Sequence, residues 1–277
     1  MTAHRTAPLR RRTWLGAVAA LAAVGGSAAA SAASAAGAAG AATPAGLPDI
    51  VAGAKPSVLP VGTFNPTDSP RFGFRGTGFV VGDGTLIATN FHVLPAGADT
   101  SGGPRMAVLT SRGAGEGQGR LARVVATDRV RDLALLQIEG PPLSALPLAE
   151  AGTAREGQGV VLMGFPIGGT LGFSVVTHRG IVASITAAAM PAATASQLDP
   201  RALVKLREGN FELLQLDATA YPGNSGGPLL DADTGRVIGV VNMVLVKAGR
   251  ESALSNPTGI TYAVPVKFLH QLLKEPR

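Results

Sequence analysis

Short runs of apolar and β-branched residues recur along most of the chain, and glycine, proline and aspartate separate one run from the next. Runs of this kind, bounded by turn-forming residues, are typical of the strands of an all-β barrel or sandwich. The pattern predicts strands at 78–81, 85–90, 106–110, 122–127, 133–138, 160–163, 174–176, 181–185, 213–216, 237–246 and 260–263. The fold class predicted from it is all-β.

The pattern changes in three places. Residues 266–273 carry apolar side chains at helical spacing, which predicts a short closing helix. A proline-rich connection at 141–147 indicates a boundary between two halves near residues 146–152. Between Thr186 and Asn210 lies an alanine-rich stretch with weak periodicity. Two interpretations of this stretch stay open: it is a surface insertion, or it has a role in substrate gating or oligomer contact.

The first 42 residues differ in composition from the rest. Arg5 and the arginines at 10–12 precede an apolar stretch at 14–24, and an alanine, serine and glycine tract follows. This order predicts a secretory signal peptide. Residues 11–15 also resemble a twin-arginine signal, so export by the Sec or the twin-arginine route stays open. Because the apolar stretch is far shorter than the ~20 residues that span a bilayer, we expect an exported, periplasmic or secreted protein without a stable membrane span.

Composition excludes several function classes. The formal charge of +6 falls to +2 once the four leader arginines are set aside, and no basic stripe interleaved with aromatic residues occurs. Nucleic acid is therefore not an expected partner. The chain has no cysteine and only four dispersed histidines, which predicts neither disulfides nor a metal site. No nucleotide fingerprint occurs either, so no cofactor is expected.

The most informative stretch is residues 221–230, where Ser225 lies among Gly223, Gly226 and Gly227. A serine hydroxyl is a weak nucleophile that needs a neighbouring base, and the tetrahedral intermediate that it forms needs N–H donors. Glycines leave such backbone donors uncovered. Ser225 is therefore the candidate nucleophile.

His92 is the candidate base, since it ends an apolar, strand-like run at 86–92 where a strand would meet a cleft. The other histidines have simpler interpretations. His4 lies in the leader, His270 lies in the closing helix, and His178 precedes Arg179-Gly180 in a predicted turn.

A triad also needs a carboxylate that orients the histidine. Asp132 leads directly into the apolar run 133–138, where a carboxylate is costly to bury unless a partner satisfies it. Asp128 has the context of a solvated turn residue. Asp217, eight residues before Ser225, is a weaker rival whose simpler role is to brace a loop.

These residues stand in the order His92, Asp132, Ser225, which is the order of the chymotrypsin triad. Their motifs are Thr-Asn-Phe-His-Val, Asp-Leu-Ala-Leu-Leu and Gly-Asn-Ser-Gly-Gly-Pro-Leu, with further matches at 76–81, 164–168 and 259–265. Over about residues 50–270 the sequence resembles the trypsin-like serine proteases, and most closely the protease domain of the bacterial HtrA (Deg) family.

The resemblance implies a chymotrypsin-like fold of two antiparallel β-barrels that meet at a cleft. It divides the chain into the leader at 1–42, an N-terminal barrel at 49–149, a C-terminal barrel at 150–265 and a closing helix at 266–277. His92 and Asp132 come from the first barrel and Ser225 from the second. Most HtrA relatives carry a PDZ domain after the protease, but only twelve residues follow Pro265, so no such domain is expected here.

The implied function is that of a serine endopeptidase with a polypeptide substrate. His92 deprotonates Ser225, Asp132 orients His92, and the N–H groups of Gly223 and Ser225 hold the oxyanion. Asn224 stands where digestive relatives have an aspartate that pairs with a new amino terminus. Activity is therefore expected to depend on ordering of the loop 220–224.

The resemblance also implies a specificity pocket. Thr219, six residues before the serine, would form its base, and Met243 and Val244 would line its wall. A base without a carboxylate does not select lysine or arginine. The expected substrates are unfolded or extended polypeptides, cut after small to medium aliphatic residues.

Two other functions stay open. Residues 223–227 also satisfy the G-x-S-x-G motif of esterases, with Asp231 and His270 in the order of that family, but the motif requires a helix after the serine. Gly226-Gly227-Pro228 is a poor helix start. The second alternative is a non-catalytic polypeptide-binding protein on a protease scaffold.

Overall fold

The computed structural model describes residues 46–98, 105–110, 119–168, 172–187, 211–243 and 259–275. Two α-helices and twelve strands lie within these ranges. They are α1 (Leu47–Ala54), β1 (Val58–Phe64), β2 (Phe72–Val81), β3 (Leu86–Thr89), β4 (Met106–Leu109), β5 (Gly119–Asp128), β6 (Leu133–Ile138), β7 (Gly159–Gly164), β8 (Val176–Ala187), β9 (Glu212–Asp217), β10 (Pro228–Asp231), β11 (Val237–Asn242), β12 (Ile260–Pro265) and α2 (Val266–Leu273).

The strands form two closed antiparallel barrels. The first has the strand order β1-β2-β3-β6-β5-β4, and the second has the order β10-β11-β12-β9-β8-β7. The predicted all-β double barrel with a short C-terminal helix is therefore confirmed. The boundaries proposed from the sequence, at 49–149, 150–265 and 266–277, remain predictions. The leader at 1–42 and most of the alanine-rich stretch at 186–210 lie outside the described residues.

In the first barrel, β1, β3, β4, β6 and the second half of β2 consist mostly of buried residues. On β2, Val80 packs with the cluster that fills the first barrel, whereas its neighbour Phe79 joins the cluster that contains the core of the second. Leu136 and Leu135 alternate in the same way on β6. Burial on both faces explains why β3, β4 and β6 are nearly continuous apolar runs and do not alternate with polar residues. The catalytic candidates of the first barrel are attached to these doubly packed strands.

Sequence reasoning missed the first helix and the first strand. It predicted no strand before residue 78, because Pro60 and Gly62 lie within 58–64 and both residues weaken a strand. The structure accommodates them with an irregularity in the β1–β2 register between Val61 and Gly62. Tertiary pairing with β2 and β4 therefore outweighs the local preference.

The predicted turn at His178 is wrong. The structure places His178 inside β8, opposite Leu162 of β7, in one strand that runs through the expected break. The polar pair His178-Arg179 before Gly180 indicates a turn. Pairing with β7 on one side nevertheless keeps residues 177–180 extended.

The closing helix α2 contacts both barrels. Leu269 and Leu272 are buried in the large core cluster, and the Phe268 ring packs edge-on against that of Phe211. The Arg131 guanidinium stacks over the same Phe268 ring, which ties the helix to the segment that carries Asp132. None of the helices in the described ranges has the length and apolar character needed to cross a membrane.

Candidate active site

His92 and Asp132 are joined by two hydrogen bonds. His92 lies in the 3-10 turn Phe91–Val93 that follows β3, and Asp132 lies just before β6, the neighbour of β3 in the barrel. The imidazole Nδ1 is 2.6 Å from Asp132 Oδ2, and the backbone N–H of His92 donates to Oδ1 at 2.8 Å. Because the carboxylate accepts at Nδ1, that nitrogen carries the proton and Nε2 is left as the basic nitrogen.

Asp132 adopts an uncommon backbone conformation, with φ of 58°. Aspartate tolerates this left-handed region better than most residues. The conformation is held by its carbonyl oxygen, which accepts from Phe91 N–H at 3.1 Å and from the Asn90 side-chain amide at 2.9 Å. The same backbone geometry turns the carboxylate towards His92.

Asn242 completes the surroundings of the carboxylate and was missed from the sequence. It is fully buried at the end of β11 in the second barrel, and its side-chain amide donates to Asp132 Oδ2 at 2.7 Å. A half-buried carboxylate with three donors avoids the desolvation cost of an unpaired charge. The sequence signal was available, since an asparagine ends an otherwise apolar strand, but its partner is 110 residues away.

Ser225 lies in a tight turn just before β10, and the four carbonyl groups of residues 222–225 all accept hydrogen bonds. Pro222 O accepts from Ile167 N–H at 2.8 Å, and Gly223 O accepts from the Thr77 hydroxyl at 2.6 Å. Asn224 O accepts from Gly227 N–H at 3.0 Å, and Ser225 O accepts from Thr77 N–H at 2.9 Å. The orientation of each peptide plane in this loop is therefore defined.

The N–H groups of the loop divide into two classes. Asn224 N–H donates to Tyr221 O at 3.0 Å and Gly226 N–H donates to Val241 O at 2.9 Å. Among the hydrogen bonds of the described residues, neither Gly223 N–H nor Ser225 N–H is a donor. These two N–H groups are the pair that the sequence assigns to the oxyanion.

The loop is pressed against the first barrel. A Cβ atom on Gly226, where φ is 84°, would lie 2.2 Å from Thr77 O and 3.0 Å from Asn90 N. At Gly76 a Cβ atom would lie 2.7 Å from the Val93 side chain and 3.0 Å from Ser225 O. The backbone around Ser225 therefore touches the segment that carries His92, and only glycine permits the contact.

A second turn, Phe165 to Gly168, packs on the other side of the loop. Gly223 has φ of 103°, and a Cβ atom there would lie 2.2 Å from Phe165 O. Ile167 has φ of 62°, a strained value for a β-branched residue. The rings of Phe165 and Phe74 belong to a cluster of four phenylalanines that joins this turn to β2, the others being Phe72 and Phe173.

Comparison with known proteins identifies the family. A family model for the trypsin-like peptidase domain matches residues 76–240. The chain belongs to the trypsin-like peptidase family. The predicted resemblance to trypsin-like proteases of the HtrA type is thereby confirmed, since the curated relatives carry HtrA-type names.

One such relative is the putative serine protease HhoA of Synechocystis sp. (strain ATCC 27184 / PCC 6803 / Kazusa), 32% identical over 201 residues that cover 73% of this chain and 42% of the relative. Another is the mitochondrial serine protease HTRA2 of Drosophila virilis, 28% identical over 232 residues that cover 82% of this chain and 47% of the relative. The chain thus spans less than half the length of these relatives.

Two solved structures share the fold. One is the HtrA-type protease AlgW with a decapeptide, with a TM-score of 0.58, 22% identity and coverage of 83% of this chain and 67% of that one. The other is the serine endoprotease from Yersinia pestis, with a TM-score of 0.56, 23% identity and coverage of 84% and 66%. At these identities the likeness extends to the fold alone.

The residues of the predicted specificity pocket are only partly described. Thr219 is half-buried in the loop between β9 and Ser225, and Met243 packs against the large core cluster just after β11. Val244 lies outside the described residues. Of the strand predicted at 237–246, β11 ends at Asn242, Met243 follows it in a bend, and residues 244–246 lie outside the described residues. Asn224, also in the loop, is fully buried as an uncharged amide.

The two other carboxylates have different surroundings from Asp132. Asp128 ends β5, where it caps the following turn by accepting from the N–H groups of Val130 and Arg131, and it pairs with the Arg131 guanidinium at 2.8 Å. Asp217 is exposed at the end of β9. No hydrogen bond between Asp217 and a histidine occurs within the part of the chain that the structure describes.

Asp231 and His270, the two partners that the esterase alternative requires, serve structural roles. Ser225 leads into strand β10 and not into a helix. Asp231 accepts from Thr234 and Gln158 side chains, and the His270 ring bonds Ala149 O at 2.8 Å. Burial alone would raise the pKa of Asp231, but these hydrogen bonds outweigh it and hold the pKa below its usual value. The esterase interpretation is therefore not favoured.

His178 is a half-buried histidine outside this network. Its ring lies 5.8 Å from that of Tyr221, and burial lowers its pKa. Elsewhere in the described ranges, no three histidine, aspartate or glutamate side chains are grouped so that they could hold a metal ion.

Proposed function

We propose that the chain is an exported serine endopeptidase that hydrolyses peptide bonds of unfolded or extended polypeptides. The observation that carries the proposal is the arrangement on the two sides of the cleft. On one side Asp132 Oδ2 lies 2.6 Å from His92 Nδ1, and on the other the loop 222–225 keeps the N–H groups of Gly223 and Ser225 out of its internal hydrogen bonds.

The proposed first step is acylation. His92 Nε2 takes the proton from Ser225 Oγ as that oxygen attacks the carbonyl carbon of the scissile bond. Asp132 keeps the Nδ1 tautomer and stabilises the imidazolium. The tetrahedral intermediate then collapses: the C–N bond breaks, and the imidazolium gives its proton to the leaving amine. Water hydrolyses the resulting ester with His92 again as base, which releases the acid and restores Ser225.

The proposed oxyanion donors are the N–H groups of Gly223 and Ser225. Preorganised donors of this kind stabilise charge only as it develops, so their effect falls on turnover and less on binding. The defined peptide orientations at 222–225 support this assignment, because each N–H points opposite to a carbonyl that is already bonded.

For the substrate, the proposal follows the pocket predicted from the sequence. Thr219 supplies no charge at the base, and Met243 supplies apolar surface, so aliphatic side chains are favoured over cations. An extended chain is the expected partner, since the resemblance implies that a strand edge beside the pocket pairs with the substrate backbone. The structural relative AlgW was solved with a decapeptide, which is consistent with a peptide ligand for the fold.

The proposal is tested by labelling the protein with a fluorophosphonate, which reacts with activated serines. We expect the wild type to be labelled and Ser225→Ala to remain unlabelled while it keeps the same unfolding temperature. Absence of labelling in the folded wild type under all conditions would contradict the protease assignment. It would favour the non-catalytic polypeptide-binding protein instead.

The choice of carboxylate gives a second prediction. Asp132→Asn should retain the fold and lose about 10⁴-fold in turnover, because an amide favours the wrong histidine tautomer, as in chymotrypsin-type enzymes. Asp217→Asn is the matched control, since it makes the same change at the exposed end of β9 and should alter turnover little. Steady-state kinetics with one fluorogenic peptide measures both. Comparable losses at the two positions, with stability intact, would show that the carboxylate is wrongly assigned.

Specificity gives a third prediction. In a denatured protein mixture, most cuts should follow valine, alanine, leucine or a similar residue, as read by mass spectrometry of the products. Preference among aliphatic residues should be modest, since one methylene in such a pocket contributes about 1–3 kcal/mol. Thr219→Asp should increase cutting after lysine and arginine. A majority of such cuts by the wild type would refute the pocket assignment but would leave the assignment of Ser225 as nucleophile intact.

Export gives a fourth prediction, based on the arginine-rich leader and its alanine tract. The mature protein should begin within about residues 30–46, where the Ala-x-Ala sites lie. Mass spectrometry of the protein recovered outside the cytoplasm measures its first residue. An exported form that still carries Met1 would contradict this prediction.

A further inference from the structure

Thr77 of β2 contacts the loop 222–225, here called the nucleophile loop because it carries the proposed nucleophile Ser225, at two points. It is 0% exposed. Its N–H donates to Ser225 O at 2.9 Å and its hydroxyl donates to Gly223 O at 2.6 Å. The hydroxyl oxygen also accepts from Phe165 N–H at 3.1 Å, and the Thr77 carbonyl accepts from the Thr89 hydroxyl at 2.7 Å.

The direction of the Thr77 hydroxyl hydrogen follows from its two partners. Phe165 N–H can only donate, so the hydroxyl oxygen must accept there. Gly223 O can only accept, so the single hydroxyl hydrogen is directed to it. One side chain therefore joins the turn at Phe165 to the carbonyl beside the proposed oxyanion donor.

Gly223 needs such an attachment. Without a Cβ atom it can adopt many backbone conformations, so the peptide planes on either side of it rotate at little steric cost. A rotation of the plane before Gly223 would turn its N–H away from the oxyanion and replace it by a carbonyl. Ile167 N–H holds that plane through Pro222 O, and the Thr77 hydroxyl holds the plane after it through Gly223 O.

We propose that Thr77 is a positioning residue for catalysis: its hydroxyl and its N–H hold the carbonyls of Gly223 and Ser225, which fixes the peptide planes that follow the two oxyanion donors and thereby restricts backbone rotation at both donor residues. This inference rests on the proposed function. Thr77 touches neither the substrate nor the reacting atoms, so it acts through the loop. Its contribution belongs to the chemical step and not to the binding of the polypeptide.

The hydroxyl can be removed with little change of shape. Valine replaces it by a methyl group of similar size, and the Thr77 N–H bond to Ser225 O is kept because it belongs to the backbone. Gly223 O and Phe165 N–H then lose their shared partner in a buried place. The loop is expected to relieve this loss by rotating the Gly223–Asn224 peptide. Because Gly223 has no side chain, the peptide before it can follow and turn the Gly223 N–H away from the oxyanion.

The experiment measures fluorophosphonate labelling of the full chain, because this probe does not require knowledge of the natural substrate. Two quantities are obtained: the labelling rate constant at saturating probe, and the probe concentration that gives half of that rate. For Thr77→Val we expect the first to fall about 10²-fold, the loss typical of a small misplacement of catalytic groups, with the second nearly unchanged. Thr77→Ser keeps the hydroxyl and should recover the rate to within about threefold of the wild type.

Thr89→Val is the matched control. It removes a buried hydroxyl bonded to a carbonyl in the same barrel, but it leaves the bonds to Gly223 and Ser225 in place. It should lower the unfolding temperature about as much as Thr77→Val and change the saturated rate far less. Equal rate losses in the two variants would mean a merely structural role and would overturn the inference.

The remaining outcomes are also decisive. A wild type that is labelled, with Thr77→Val labelled at the same saturated rate, overturns the inference alone. A wild type that is not labelled overturns the proposed function and the inference with it. If Thr77→Val does not fold, Thr77→Cys replaces it, since a thiol is a weaker donor and acceptor. Its saturated rate should then fall well below that of Thr77→Ser, and equal rates overturn the inference.

Discussion

Four successive carbonyl groups, those of residues 222–225, must find donors in the crowded space between two barrels. Buried backbone groups that lack partners are costly, so a loop with every carbonyl bonded has few alternative conformations. Two of the donors belong to one threonine of the first barrel. The geometry of the nucleophile loop in the second barrel therefore depends on how closely the first barrel approaches it.

The same dependence holds in the opposite direction for the carboxylate. Asp132 and His92 belong to neighbouring segments of the first barrel, but the third donor to Asp132, Asn242, comes from the second. Each barrel thus supplies hydrogen bonds that support a candidate catalytic residue of the other. Strands of the first barrel that are packed on both faces give this contact the rigidity that a catalytic geometry requires.

Glycines make the contact possible and also create a problem. Gly223 and Gly226 adopt positive φ and lie too close to neighbouring backbone for any side chain. The freedom that lets glycine adopt such conformations also lets it leave them. The surroundings supply the restraint: the strained turn at Ile167 on one side and the buried Thr77 on the other.

Much of the fold and the candidate triad could be predicted from local signals, because strand runs, turn residues and the motifs around His92, Asp132 and Ser225 are each contained in a few adjacent positions. Those signals determined the all-β class and, by resemblance, the two barrels, and they predicted the three candidate residues of the triad. The tertiary structure decided the rest. It formed a strand across Pro60 and Gly62, extended β8 through His178, and assigned Asn242 and Thr77 to Asp132 and the nucleophile loop. The last two outcomes depend on partners 110 and 146 residues distant in the chain, and no local pattern encodes which buried amide or hydroxyl will meet which carboxylate or carbonyl.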